Sequence, residues 1–311
     1  MRTALAGMKH RNQHTVPQSY LKAWCDPNTP AGHEPYVWLC DKSGGQARKK
    51  APAKVFIEKD FYTIMRADGE RDLVLEHGLS QLETRFAALR RNRLDGELPL
   101  SQRDHINLCA FVAAMFARTK SRGVFWRQQW QKALDLGQKM ADWMTDAPSE
   151  DVEKMTTALR PSRDHESAGL SLDDVRRIVE QPMEPLLTSE VSTVTPILAG
   201  MHQLIIETAD SPGFVTSDAP CVWCDPELYA ESPAFGAGGL ISPSLEILMP
   251  ISPRQCICFG HQIIASGFYM SLKPHDPLLD HVNRRVCQFA DEYVVASEDV
   301  RQQPWFTGTW C

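Results

Sequence analysis

The chain has 311 residues, 43% hydrophobic and 23% charged, with a formal net charge of −6. These values belong to an ordinary globular chain and exclude a fibrous or low-complexity one. No run nears the roughly eighteen apolar residues of a membrane span, so no membrane partner is expected.

The basic start, MRTALAGMKHRNQH, lacks an apolar core of signal-peptide length. Nine cysteines, an odd number, are scattered without export features. A cytoplasmic protein with reduced thiols is the expectation. Charge is uneven: residues 1–50 hold eight Lys/Arg against three Asp/Glu, whereas residues 141–240 hold five against eighteen. A basic N-terminal half suits a nucleic-acid or nucleotide partner, although two solvated surfaces of opposite sign account for the same counts.

In chain order, Thr15 reads as the cap of a short helix with Pro17 in its first turn and Tyr20, Leu21 and Trp24 on one edge. His14 stands just before it, as a metal ligand, a general base or a turn residue. Tyr36–Asp41 and Gln46–Lys50 flank Gly44-Gly45 as a β-hairpin whose basic second strand suits an exposed edge. The segment KVFIEKDFYTI is extended. Leu75, Leu79, Leu82, Phe86 and Leu89 then mark a helix over about 72–94. Glu76 and Glu83 lie seven apart beside that stripe, where paired carboxylates could bind a divalent cation or pair with Arg90 or Arg93.

Ser101 with Asp104 opens a second helix that turns Ile106, Cys109, Ala110 and Ala113 inward. If it ran on through Gly123, then Arg118, Arg122, Trp126 and Trp130 would share a stripe able to stack on bases. Residues 123–145 read as a long helix, and about 146–170 as a flexible acidic insertion. Ser171–Gln181 is a capped helix, and Thr188–Ala209 reads as an apolar helix started or kinked by Pro196. In PGFVTSDAPCVW, residues 212–223, a short apolar strand ends on Ser217 and Asp218 before Pro220. Leu245–Ile251 and Gln255–Gly260 form a hairpin, Gln262–Met270 a further strand, Pro277–Ala290 a helix and Glu292–Ala296 a last strand.

Dinucleotide, Walker, HExxH and nucleophile-elbow motifs are missing from the sequence. The glycine-rich AFGAGGL at 234–240 has no flanking elements to make it a phosphate cradle. Cys221-x-x-Cys224 with Cys256-x-Cys258 has the wrong second spacing for a zinc knuckle, and the latter pair would face one core, so zinc is not expected. Ser217 as a nucleophile would need His14, His202 or His261 within reach.

His14, Pro17, Tyr20 and Leu21, the pair Phe61–Tyr62, Glu76 and Glu83, Arg118-Thr119, Phe214 with Ser217, Asp218 and Pro220, and Leu248, Pro250, Ser252 and Pro253 occur in one order. In this the chain resembles the bacterial and fungal family known as domain of unknown function 4238. The resemblance covers about residues 10–297 and implies a shared site but no reaction. Three positions depart from the family pattern: Met115 and Lys120 replace a glutamine and a proline, and Ala219 replaces a common asparagine.

The expectation is one α+β domain over 1–311, a helical middle layer on a mixed or antiparallel sheet from N- and C-terminal strands. His14, Glu76, Glu83, Arg118, Ser217 and Asp218 would converge in one pocket. In the leading reading Asp218, Glu83 and Glu76 hold Mg²⁺ or Mn²⁺ for phosphodiester hydrolysis, His14 is the acid–base and Arg118 steadies phosphate charge. In the alternative the chain is a binding module in which Arg118 and Asp218 form a buried structural pair.

Overall fold

The computed structural model describes residues 11–26, 28–66, 68–159, 169–231, 239–263 and 268–307. Its strands are β1 (Asn12–His14), β2 (Val37–Asp41), β3 (Ala47–Lys50), β4 (Ile57–Lys59), β5 (Ile64–Met65), β6 (Arg71–Asp72), β7 (His202–Glu207), β8 (Thr216–Ser217), β9 (Val222–Cys224), β10 (Glu246–Ser252), β11 (Gln255–Gly260), β12 (Tyr269–Ser271) and β13 (Tyr293–Ala296). The helices are α1 (Gln18–Leu21), α2 (Val74–Asn92), α3 (Gln102–Ala117), α4 (Lys120–Asp146), α5 (Ser149–Leu159), α6 (Leu172–Glu180), α7 (Met183–Ala199), α8 (Pro226–Glu231), α9 (Pro277–Phe289) and α10 (Pro304–Thr307). The fold is α+β, as the order of elements in the sequence implied.

Two sheets organise it. One runs β12-β7-β11-β10-β9 and is antiparallel except for β12 beside β7. The other runs β3-β2-β13-β8, all antiparallel, so a C-terminal strand is seated between the N-terminal hairpin and the centre of the chain. The larger sheet is buried on both faces. Ile205, Ile257, Met249 and Phe259 pack with Leu108, Phe111, Val112 and Met115 of α3. The alternate residues Leu204, Ile206, Leu248, Cys256 and Cys258 pack with Val282 and Val286 of α9 and with Cys40 and Val294 of the smaller sheet. Cys256 and Cys258 thus face one core, whereas Cys221 and Cys224 are divided between the two.

Local chemistry explains most boundaries. Ser101 and Ser171 each accept from the backbone N–H three residues on, and Asp104 and Asp174 answer with reciprocal bonds, which satisfies the free N–H groups of α3 and α6. α3 stops at Ala117. Arg118 caps it, and Thr119 opens α4 by accepting from the Arg122 N–H. The continuous helix through Gly123 is therefore replaced by a break at 118–119. Arg122 is held by Glu190 and stacks over Phe116 and Trp126, at 4.7 and 4.8 Å, so it is engaged within the fold.

Three further expectations are corrected. Thr15 is not a helix cap; its hydroxyl donates to the Phe56 carbonyl, and Pro17 is the N-cap of α1. Ile106 is 45% exposed, because α3 buries Leu108, Phe111 and Val112 instead. Residues 202–207 are strand β7, not helix, and Pro196 lies inside α7 near its end. Within 146–170, α5 occupies Ser149–Leu159, while 160–168 lie outside the described residues. So do residues 234–238 of the glycine-rich stretch and 264–267 of the expected strand, of which Tyr269–Ser271 is observed.

Candidate functional site

Arg118 is the centre of the first polar cluster. As the C-cap of α3 it is carried inward by an otherwise apolar helix, and only 3% of it is exposed. Nη1 donates to Glu83 Oε1 at 2.7 Å, Nη2 donates to the His14 carbonyl at 2.6 Å, and Nε reaches the Tyr62 hydroxyl at 3.4 Å. Tyr62 donates back to the Arg118 carbonyl at 2.7 Å, and burial pushes its phenol up to about 12. One guanidinium thus ties together β1, α2, α3 and the loop after β4. Gln13, which the sequence reading did not single out, fixes that loop: it accepts from the Tyr62 N–H at 2.6 Å and donates to Thr63 Oγ1 at 3.1 Å.

His14 lies beside this ion pair. The Ala53 backbone acts on its ring to favour the charged form, and Nε2 is buried with no hydrogen-bond partner among the described residues. Burial, the largest influence, holds the imidazole below its usual 6.5; Glu83 opposes and Arg118 adds to it. At neutral pH His14 is therefore uncharged, with the form of a base or ligand. Glu83 borders the same seam, and Glu76 of α2 lies close enough, like Glu83, to raise the Tyr62 phenol.

Ser217 and Asp218 belong to a second cluster. Asp218 Oδ1 accepts from the Asp291 N–H at 2.8 Å, and Oδ2 accepts from those of Glu292 and Tyr293 at 2.7 and 3.0 Å. Burial raises this carboxyl to about 6 in spite of the three donors. Ser217 is fully buried in β8, and its hydroxyl accepts from the Ala219 N–H at 3.1 Å. Asp218 ties the end of β8 to the turn before β13, and Ser217 closes the local turn after β8. Asp218 is engaged by backbone N–H groups on both oxygens, in a cluster other than the one that Glu83 joins through Arg118. The buried arginine pair is corrected, since the partner of Arg118 is Glu83. The clusters flank one helix junction: Asp291 bonds Ser121, and Lys120 is paired with Glu58 at 3.0 Å. Among the described residues no group of three or more His, Cys, Asp or Glu side chains could hold a metal ion.

A cleft of about 1050 Å³ opens elsewhere, lined in part by Arg90, Asp95, Glu97, Glu207, Arg254 and Gln255. Burial raises the Glu207 carboxyl, the Gln255 amide opposes this, and contact with Glu97 raises it further. Sequence reading missed both glutamates. Glu207 lies within a run read as helix, and Glu97 sits in a left-handed conformation, φ 50°, that no local pattern announces.

Residues 12–299 match a family described as a protein of unknown function, DUF4238. The chain belongs to that family. No curated protein and no solved structure matches it. Several residues that mark DUF4238 in the sequence serve architecture here. The Tyr20 hydroxyl donates to the Pro250 carbonyl and is 2.8 Å from Thr216 Oγ1. Ser252 accepts from the Arg254 and Gln255 N–H groups, both at 3.1 Å, and so closes the β10–β11 turn. Met115, at a position where DUF4238 commonly has glutamine, is buried in the core. Among the described residues no helix is long and apolar enough to cross a membrane.

Proposed function

We propose that this DUF4238 chain is a hydrolase that works by general acid–base chemistry from His14, on phosphodiesters of the RNA, DNA or nucleotide class. The observation that carries the reading is the His14 imidazole, held by burial below its usual 6.5, with Nε2 buried and without a hydrogen-bond partner among the described residues. The shielded nitrogen suits a small reactant, a water or a hydroxyl that enters the seam and gives up its proton. Glu83 would stabilise the imidazolium so formed, and Arg118 positions both through its bonds to the His14 carbonyl and to Glu83. The substrate class is supported by the excess of Lys/Arg in the first fifty residues, including the exposed Arg48, Lys49 and Lys50 of β3. The reading calls on no metal, because Asp218 is committed to backbone donors.

The test is turnover of bis(p-nitrophenyl) phosphate and of single-stranded RNA by wild type and His14→Gln. General-base loss is expected to lower the rate by about 10²–10⁴-fold with the melting temperature held. Wild type inert on both probes, or His14→Gln as fast as wild type, would overturn it. One observation favours a second reading, a non-catalytic binding module: all three nitrogens of Arg118 are bonded within the chain. Inactivity combined with strong destabilisation by Arg118→Met would select it.

A further inference from the structure

Helix α4 spans 27 residues and packs along one side. Gly137 meets Leu172, and Arg127 donates to the Val179 carbonyl at 3.2 Å, so that side faces α6. On the other side Phe125, Leu136 and Trp143 are 41%, 60% and 43% exposed. At about 100° per residue these three project within about 20° of one another, and Lys132, also exposed, falls about 20° off the same line. Single exposed apolar residues need no explanation, but three large ones aligned along one helix do.

The stripe Phe125–Lys132–Leu136–Trp143 has steps of seven, four and seven residues. That spacing is the same read from either end. Set antiparallel against itself about a two-fold, such a stripe brings each of its positions opposite another position of the same stripe, and does so twice.

We propose that this face of α4 docks against the same face of a second copy of the chain, with the two helices antiparallel. Phe125 then faces the Trp143 ring of the other copy at each end, an aromatic pair. In the middle the Lys132 stem lies over Leu136 of the other copy. Its ammonium reaches Asp135, the next residue on the flank, so the Lys132–Asp135 pair forms twice across the axis. Within its own helix Asp135 accepts only the Gln131 amide, at 2.8 Å, among the described residues. This charge complementarity, in the same register as the apolar one, selects a second copy over any other occupant.

The test is sedimentation equilibrium of the full chain at about 100 µM, a hundredfold above a micromolar dissociation constant. Wild type is expected to be a dimer. Leu136→Glu should be a monomer with its melting temperature unchanged, and Lys132→Asp should weaken association about tenfold or more. Lys132→Asp combined with Asp135→Lys should restore the dimer, because the pair is rebuilt with its signs exchanged. A monomeric wild type at that concentration, a dimer indifferent to Leu136→Glu, or a double exchange no better than Lys132→Asp would each overturn the proposal.

Discussion

Arg118→Met is the substitution that most directly probes the cluster joining β1, α2 and α3. Methionine nearly fills the same space, so the loss is electrostatic and hydrogen-bonded. Breaking a buried ion pair costs about 3–5 kcal/mol when the abandoned charge stays dry. Here the Glu83 side chain is 24% exposed and can rehydrate in part, which lowers the figure. The His14 carbonyl loses its 2.6 Å donor, at about 1–3 kcal/mol for a part-buried acceptor. Together these give about 3 kcal/mol, or a fall in melting temperature of about 5 °C for a chain of this size. Urea unfolding of wild type, Arg118→Met, Glu83→Gln and the double variant closes a cycle that isolates the pair. A coupling of about 1.5 kcal/mol or more is expected. If Arg118→Met loses under about 1 kcal/mol, or the coupling is under about 0.5, the guanidinium is not the clamp described here.

Two further outcomes follow from the same geometry. Gly213 has φ +76°, and a Cβ there would run into the Pro253 carbonyl. Gly213→Ala should therefore cost more than about 3 kcal/mol, whereas Gly44→Ala, at φ +80° with open space around it, should cost about 1. Equal effects in thermal unfolding would show that the contact with Pro253 carries nothing. The second outcome concerns pH. Asp218 has its carboxyl raised to about 6 from 3.8, so the folded chain holds this proton more tightly than the unfolded chain. Its contribution to stability is complete below 3.8 and is lost as pH rises through about 6. His14, lowered from 6.5, acts in the opposite sense: its contribution is present above 6.5 and is lost as pH falls below it. Asp218→Asn should remove the first slope and His14→Gln the second. A stability profile between pH 4 and 6 unchanged by Asp218→Asn would refute the assignment.

Helices with one apolar stripe and side-chain caps were legible in the sequence. α2, α6 and α9 lie within a few residues of their expected spans and α3 starts where expected, because Ser101 and Ser171 mark the starts of α3 and α6 and leucine spacing marks the buried face of α2. β7 was not legible. Leu204, Ile205 and Ile206 are consecutive apolar residues because both faces of their sheet are covered, and such a strand loses the alternation that separates it from a buried helix. The site divides along a similar line. Glu83, Arg118 and His14 come together through an arginine at a helix end and a glutamate on a facing helix, features that a sequence displays. The task of Asp218 is fixed by three backbone N–H groups more than seventy residues away, and no side-chain pattern records those.

The seat of β13 between β2 and β8 has a consequence for synthesis on the ribosome. The hairpin β2–β3 can close as soon as it emerges, but the other edge of β2 waits for residues 293–296. Translation at about 5–20 residues per second leaves that edge unpaired for roughly 13–50 seconds. Throughout that interval Val37 and Leu39 are presented on an open strand, the kind of surface that chaperones hold and that neighbouring nascent chains can capture. A chain terminated before residue 293 never closes it, so C-terminal truncations should collect in the insoluble fraction even when they leave His14, Glu83 and Arg118 intact.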